Sequence, residues 1–190
     1  PEDDGSANSY SRSACIRFNS WYYRCRDITQ LRRVAGHELF HNVQRRYTCA
    51  VAGCEVSSIS GVFGKWIVEG TARTSEDYIF SDVDSSEDVP FHGDVTKADG
   101  PIESPDTSLF DLEYASCLFW KYCCEQLGAP SEFDFVRNLW EEFADQHSNA
   151  SVSVLDDVIR SSGGDSLDDV FLDYAIANIP NDYDTSLLPK

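Results

Sequence analysis

Two histidines four residues apart, with a glutamate between them, form the stretch His37-Glu38-Leu39-Phe40-His41. On an α-helix, residues at this spacing lie one turn above each other on one face. Two imidazoles so placed can offer nitrogens to one cation, at about 2.0–2.1 Å each for zinc. Glu38 faces an adjacent side, where it can reach a water on the metal without binding the metal itself. The chemistry implied is activation of water for hydrolysis. A catalytic zinc site normally has three protein ligands and keeps a fourth position for water. No third histidine follows His41 at short spacing, and His92 and His147 fall in a loop and near a helix end. Glu69, in Trp66-Ile67-Val68-Glu69-Gly70-Thr71-Ala72, offers a carboxylate instead. Gly70 and Ala72 beside it are small enough to let two helices approach closely.

The elements that must position these groups follow from periodicity and capping. Residues 1–11 are polar and expected to fray. Residues 14–18 and 21–25 are short β-prone runs joined by Asn19-Ser20, a plausible strand pair. Asp27 or Thr29 can cap a helix running to about residue 47, with Leu31, Val34, Ala35, Leu39 and Val43 as its apolar positions. His37 and His41 fall close to the Val34 stripe, so the motif is expected to face protein. Residues 49–64 read as a loop and 65–80 as a second helix. Residues 81–107 form a long acidic loop of the kind that serves as a lid, a binding loop or a disordered insert. Its Asp82, Asp84, Ser86 and Asp88 are spaced like a calcium loop, but Glu87 and Gly93 stand where that loop needs Gly and Glu. Further helices are expected over 108–127, 131–146, 151–161 and 166–178, with a loose tail over 181–190. The expected fold is α+β and mostly helical, with a small N-terminal β element, in one domain spanning 1–190.

Composition narrows the function. The chain of 190 residues carries a net charge of −18, which argues against nucleic acid or an anionic membrane as partner. No run of 18 apolar residues is present, so no membrane insertion is expected. Arginines concentrate near the motif, among them Arg32, Arg33, Arg45 and Arg46. They either shape a cleft for acidic substrates or, as the simpler reading, pair with the acidic remainder. Seven cysteines favour oxidising surroundings, with Cys15/Cys25 and Cys49/Cys54 at spacings that suit local disulfides. Cys117, Cys123 and Cys124 lie in an apolar helical pattern that suits buried thiols. The start at Pro1, without Met or an apolar leader, reads as a processed product or an excised domain.

HELFH followed by WIVEGTA resembles the gluzincin metallopeptidases. More narrowly, HELFHNVQ, WIVEGTARTSED and the closing helices over 155–178 are similar to secreted bacterial gluzincins of the HExxH…WxxEGxAxxxED type. The resemblance spans roughly residues 33–179. It implies a zincin-like fold and zinc as cofactor, with His37, His41 and Glu69 as its ligands and Glu38 as general base. It also implies a peptide or protein substrate, and a secreted or cell-surface location. In several gluzincins a tyrosine opening a later helix donates to the oxyanion. Tyr114, in a stretch that ends at Leu127-Gly128, is similar in layout, although Cys117 stands where a glycine is usual. His147 is the alternative, since another branch uses a histidine. Glu76 and Asp77 are candidate partners for the outer nitrogens of the ligating histidines, the simpler reading being an exposed acidic helix end. Only 36 residues precede the motif, so an edge strand to align substrate must come from residues 14–25 or from outside this sequence.

Two other classes compete with a zinc peptidase. One is a degenerate metalloprotease-like domain serving as a binding or adhesion module, against which the intact Glu38 argues. The other is a non-peptide hydrolase on the same scaffold. The sequence carries no reading of oligomeric state.

Overall fold

The structure, a computed structural model, describes residues 6–10, 13–17, 28–52, 61, 63–82, 106–145 and 152–178. Strand β1 (Ser6–Tyr10) pairs antiparallel with β2 (Ser13–Arg17), Ser6 opposite Arg17 and Tyr10 opposite Ser13. Then come α1 (Ile28–Ala52) and α2 (Lys65–Ile79). Two 3₁₀ turns, Leu109–Asp111 and Glu113–Ser116, lead into α3 (Cys117–Leu127). Helices α4 (Asp134–Asp145), α5 (Val152–Ser161) and α6 (Leu167–Asn178) complete the order.

The fold is helical, which corrects the α+β class expected from the sequence. Among the described residues the only strands form a two-stranded ribbon, which touches α1 and is too small to be a layer of the fold. Every buried apolar residue described belongs to a helix, a 3₁₀ turn or the approach to one. The ribbon is also offset from expectation. β2 overlaps the run 14–18, but its partner is upstream, in residues expected to fray, while residues 21–25 lie outside those described.

Helix α2 is the hub, touching α1, both 3₁₀ turns and α3. Gly64, at φ 76°, supplies the left-handed turn before it, and Val68 N–H donates to Gly64 O. Buried Thr71, Thr74 and Ser75 satisfy their hydroxyls on the carbonyls of Ile67, Gly70 and Ala72, so polar residues can line a helix that is covered on most sides. A Cβ at Gly70 would overlap Ser116 Oγ and lie 2.7 Å from the Trp120 indole, so only glycine lets α2 lie this close to α3. The Trp66 carbonyl, one turn back, accepts from both Ser116 Oγ at 2.6 Å and Trp120 Nε1 at 2.8 Å.

Below this contact the core is aromatic and aliphatic. Phe119, Trp120, Phe135, Leu139, Trp140, Phe143, Leu155 and Ile159 are fully buried. Each large side chain of this kind contributes about 1.5–3 kcal/mol by leaving water. Ser108 caps the first 3₁₀ turn, accepting from Phe110 N–H. Helix α4 starts at Asp134, whose carboxylate accepts from Ser131 N–H at 3.1 Å.

Helix α1 reverses one expectation. Leu39 and Val43, assigned to its apolar stripe, are 50% and 42% exposed. Its buried face is instead His37, Phe40, His41, Gln44 and Thr48, spaced three and four apart. The helix is turned by a polar network whose members are satisfied across the α1–α2 contact, and an apolar count cannot register that.

Candidate metal centre

Helices α1 and α2 run antiparallel, with side chains meeting in successive rungs. Gln44 Nε2 donates to Val68 O at 2.8 Å and to Thr71 Oγ1 at 3.0 Å. His37 and His41 meet Glu69, His37 also meets Glu76, and Arg33 meets Glu76. Arg32 closes the ladder with both oxygens of Asp82, at 2.6 and 2.7 Å. Moving back along α1 by one turn moves forward along α2, so spacings of three and four on both helices bring the rungs into line.

At the centre, His37 Nε2, His41 Nε2 and Glu69 Oε2 form a triangle with sides of 3.0, 3.1 and 3.3 Å. All three residues are buried, at 8%, 4% and 9% exposure. The outer nitrogens are held separately. His37 Nδ1–H donates to Glu76 Oε1 at 3.1 Å, and His41 Nδ1–H donates to Gln44 Oε1 at 2.7 Å. Because the Gln44 amide nitrogen is committed to Val68 O, its oxygen must face His41. Both Nε2 atoms are thereby aimed at one point beside Glu69.

This group could hold a metal ion. Ligand atoms at about 2.0–2.1 Å around a tetrahedral zinc lie roughly 3.3–3.4 Å apart, so the triangle is the right size to within a few tenths of an ångström. Two imidazoles and a carboxylate suit divalent first-row metals. Without a metal, a proton does the bridging. Burial pulls the His37 pKa down, but its hydrogen bonds to Glu69 and Glu76 outweigh that and push it up to about 10. Burial likewise raises Glu69, and the hydrogen bonds to His37 and His41 overcome it, holding the carboxyl far below the usual range.

The remaining residues named from sequence are placed as follows. Glu38 is half-buried on α1, next to the His37 ligand position. The Tyr114 ring lies 5.6 Å from the His37 ring, tilted by 35°. It sits in the second 3₁₀ turn, not in an α-helix, directly after Glu113 at φ 42°. Glu76 reaches a site histidine, whereas Asp77 pairs with Lys121 at 3.1 Å. Cys117 is buried, and its carbonyl accepts from Thr74 Oγ1 at 3.0 Å. Cys117, Cys123 and Cys124 are free thiols. His92, His147, Cys25, Cys54 and residues 83–105, including Asp84, Ser86 and Asp88, lie outside the described residues.

Arg32 and Arg33 both turn to acidic partners, which favours pairing over an acidic-substrate cleft for these two. Sequence reading passed over Gln44 and gave Arg33 no role in the site. Gln44 is three residues after His41 and Arg33 four before His37, so both lie on the ligand face by helical spacing alone.

Among the described residues no helix is long and apolar enough to cross a membrane. No protein-family model, no curated protein and no solved structure matches the chain. What the site is therefore rests on its own geometry, a buried His37, His41 and Glu69 group able to take a metal ion.

Proposed function

We propose that the chain is a zinc-dependent peptidase with gluzincin-type chemistry, an endopeptidase acting on peptide or protein substrates outside the cell. The observation that carries this reading is the convergence of two imidazole Nε2 atoms and one carboxylate oxygen, with Glu38 beside one of them. Zinc, when bound, would polarise the scissile carbonyl and bring the pKa of its water towards about 7. Glu38 takes the proton from the attacking water and passes it to the leaving amine nitrogen. His37, His41 and Glu69 hold the metal, while Glu76 and Gln44 fix the two imidazoles in the Nδ1–H form with Nε2 free to ligate. The Tyr114 hydroxyl, on a ring already beside His37, donates to the oxygen that gains negative charge. The extracellular location belongs to the same proposal and rests on the cysteine spacings.

The test is metal content of the purified chain together with casein hydrolysis by the wild type and Glu38→Ala. About one zinc per chain, with turnover falling at least 100-fold in the variant while zinc is retained, is the expected result. Bound zinc without turnover of any peptide would turn the reading to a binding module. A chain that takes up no zinc would refute both.

A further inference from the structure

The Glu76 carboxylate is almost fully buried, with 4% of its side-chain surface exposed, and its two oxygens do different work. Oε1 accepts from His37 Nδ1–H at 3.1 Å. Oε2 accepts from Arg33 Nε at 3.3 Å. Arg33 is one turn before His37 on α1, and Glu76 is two turns after Glu69 on α2, so the helix pair itself sets this geometry. A buried carboxylate with one oxygen unpaired would be costly and free to turn towards another donor. With Oε2 occupied by a guanidinium, Oε1 has one remaining direction, and the imidazole it grips has one remaining orientation.

We infer that Arg33 is a positioning residue for the metal centre, acting through Glu76 to fix the plane of the His37 ring. This rests on the metal reading given above. The support of His37 is thus an ionic relay, Arg33 to Glu76 to His37, while that of His41 is a neutral amide. A guanidinium also offsets the charge of a second buried carboxylate so near the ligands. Glu76 can therefore orient His37 without making the site more anionic overall.

The experiment measures zinc affinity of the full chain by competition with a chromogenic chelator, and the visible absorption of the cobalt(II)-loaded protein. The set is wild type, Arg33→Met, Arg33→Lys, Glu76→Gln and the Arg33→Met/Glu76→Gln double variant, with Arg32→Met as a nearby charge-loss control. Arg33→Met is expected to weaken zinc binding about 10–100-fold, the usual range for losing an outer partner of a ligand. It should also change the cobalt bands at saturating metal. Arg33→Lys should recover part of the affinity, and Arg32→Met should match wild type. The double variant should be no weaker than Glu76→Gln alone, because Arg33 has nothing left to act through. Wild-type affinity and bands in Arg33→Met, or fully additive losses in the double variant, would overturn the inference and leave the peptidase proposal standing. A wild type that binds neither zinc nor cobalt would overturn both.

Discussion

Helix α2 makes two unlike contacts with its neighbours in the interior. Towards α1 it presents Glu69, Thr71 and Glu76 to His37, His41, Gln44 and Arg33, all joined by directional bonds. Towards α3 it presents Trp66, stacked on Trp120 at 5.0 Å, above a core that continues through Phe119, Trp140 and Phe143. Apolar contact is non-directional and scales with area, so it can hold a helix in place without fixing any one atom. Hydrogen bonds fix atoms but give little net stability, and cost about 1–3 kcal/mol when a buried partner is left unmet. The difference is one of degree: the α3 side adds large apolar burial to its few bonds at Trp66 O and Thr74, and the α1 side is bonds almost throughout.

The sharpest way to break this comparison is to cut each side once. Phe143→Ala should cost about 3–5 kcal/mol of unfolding free energy while the folded fraction still binds about one zinc. Glu69→Ala should abolish zinc binding and, by leaving buried His37 and His41 without their shared carboxylate, cost about 1–3 kcal/mol of metal-free stability. Denaturant unfolding combined with metal analysis checks both. If Phe143→Ala lost its zinc while folded, the two sides would not be separable. A smaller effect is expected from Gln44→Leu, which leaves Val68 O and the His41 Nδ1–H without their partners. It should lose about 1–3 kcal/mol of stability and about 10–100-fold in zinc affinity, read by the same two assays.

The gentlest probe is pH, where the metal-free chain should lose stability that the metal-loaded chain keeps. The folded pKa of His37 is raised from 6.5 to about 10. Its contribution in the metal-free chain is therefore fully present below about 6.5 and lost as pH rises through about 10. A cation must displace that proton, so stabilisation by zinc grows over the same window. Thermal midpoints with zinc and with chelator should diverge steadily between pH 7 and 9. Parallel curves would show that His37 does not exchange its proton for the metal.

The chemistry of the site was more legible in the sequence than its surroundings. His37, His41 and Glu69 follow from spacing and a small-residue context, and Glu76 from lying two turns beyond Glu69. All four reach one cluster because helical periodicity fixes which residues share a face. The orientation of α1 was not legible. Leu39 and Val43 read as buried because hydropathy weights apolar atoms, whereas the helix is turned by Gln44 and His41 finding partners on another segment. The same blindness gave Arg33 no role beyond surface pairing or a substrate cleft. The β element was overvalued because short β-prone runs say nothing about whether a layer will form on them. The expected helix over 108–127 breaks into two 3₁₀ turns and a shorter α-helix, with Glu113 at positive φ opening the second turn, which no propensity argument places.

The rungs between α1 and α2 also work as a registration key. Sliding one helix by two turns would set Arg33 against Glu69 and strand His41, so the ligand cluster would be lost. Apolar faces tolerate such a slip, because leucine-like surfaces accept many neighbours. A chain that must choose between two nearly equal helix alignments while folding can thus be checked by its own ligands. The correctly aligned pair is the one that can take a cation, and binding it would withdraw the other alignment from the ensemble.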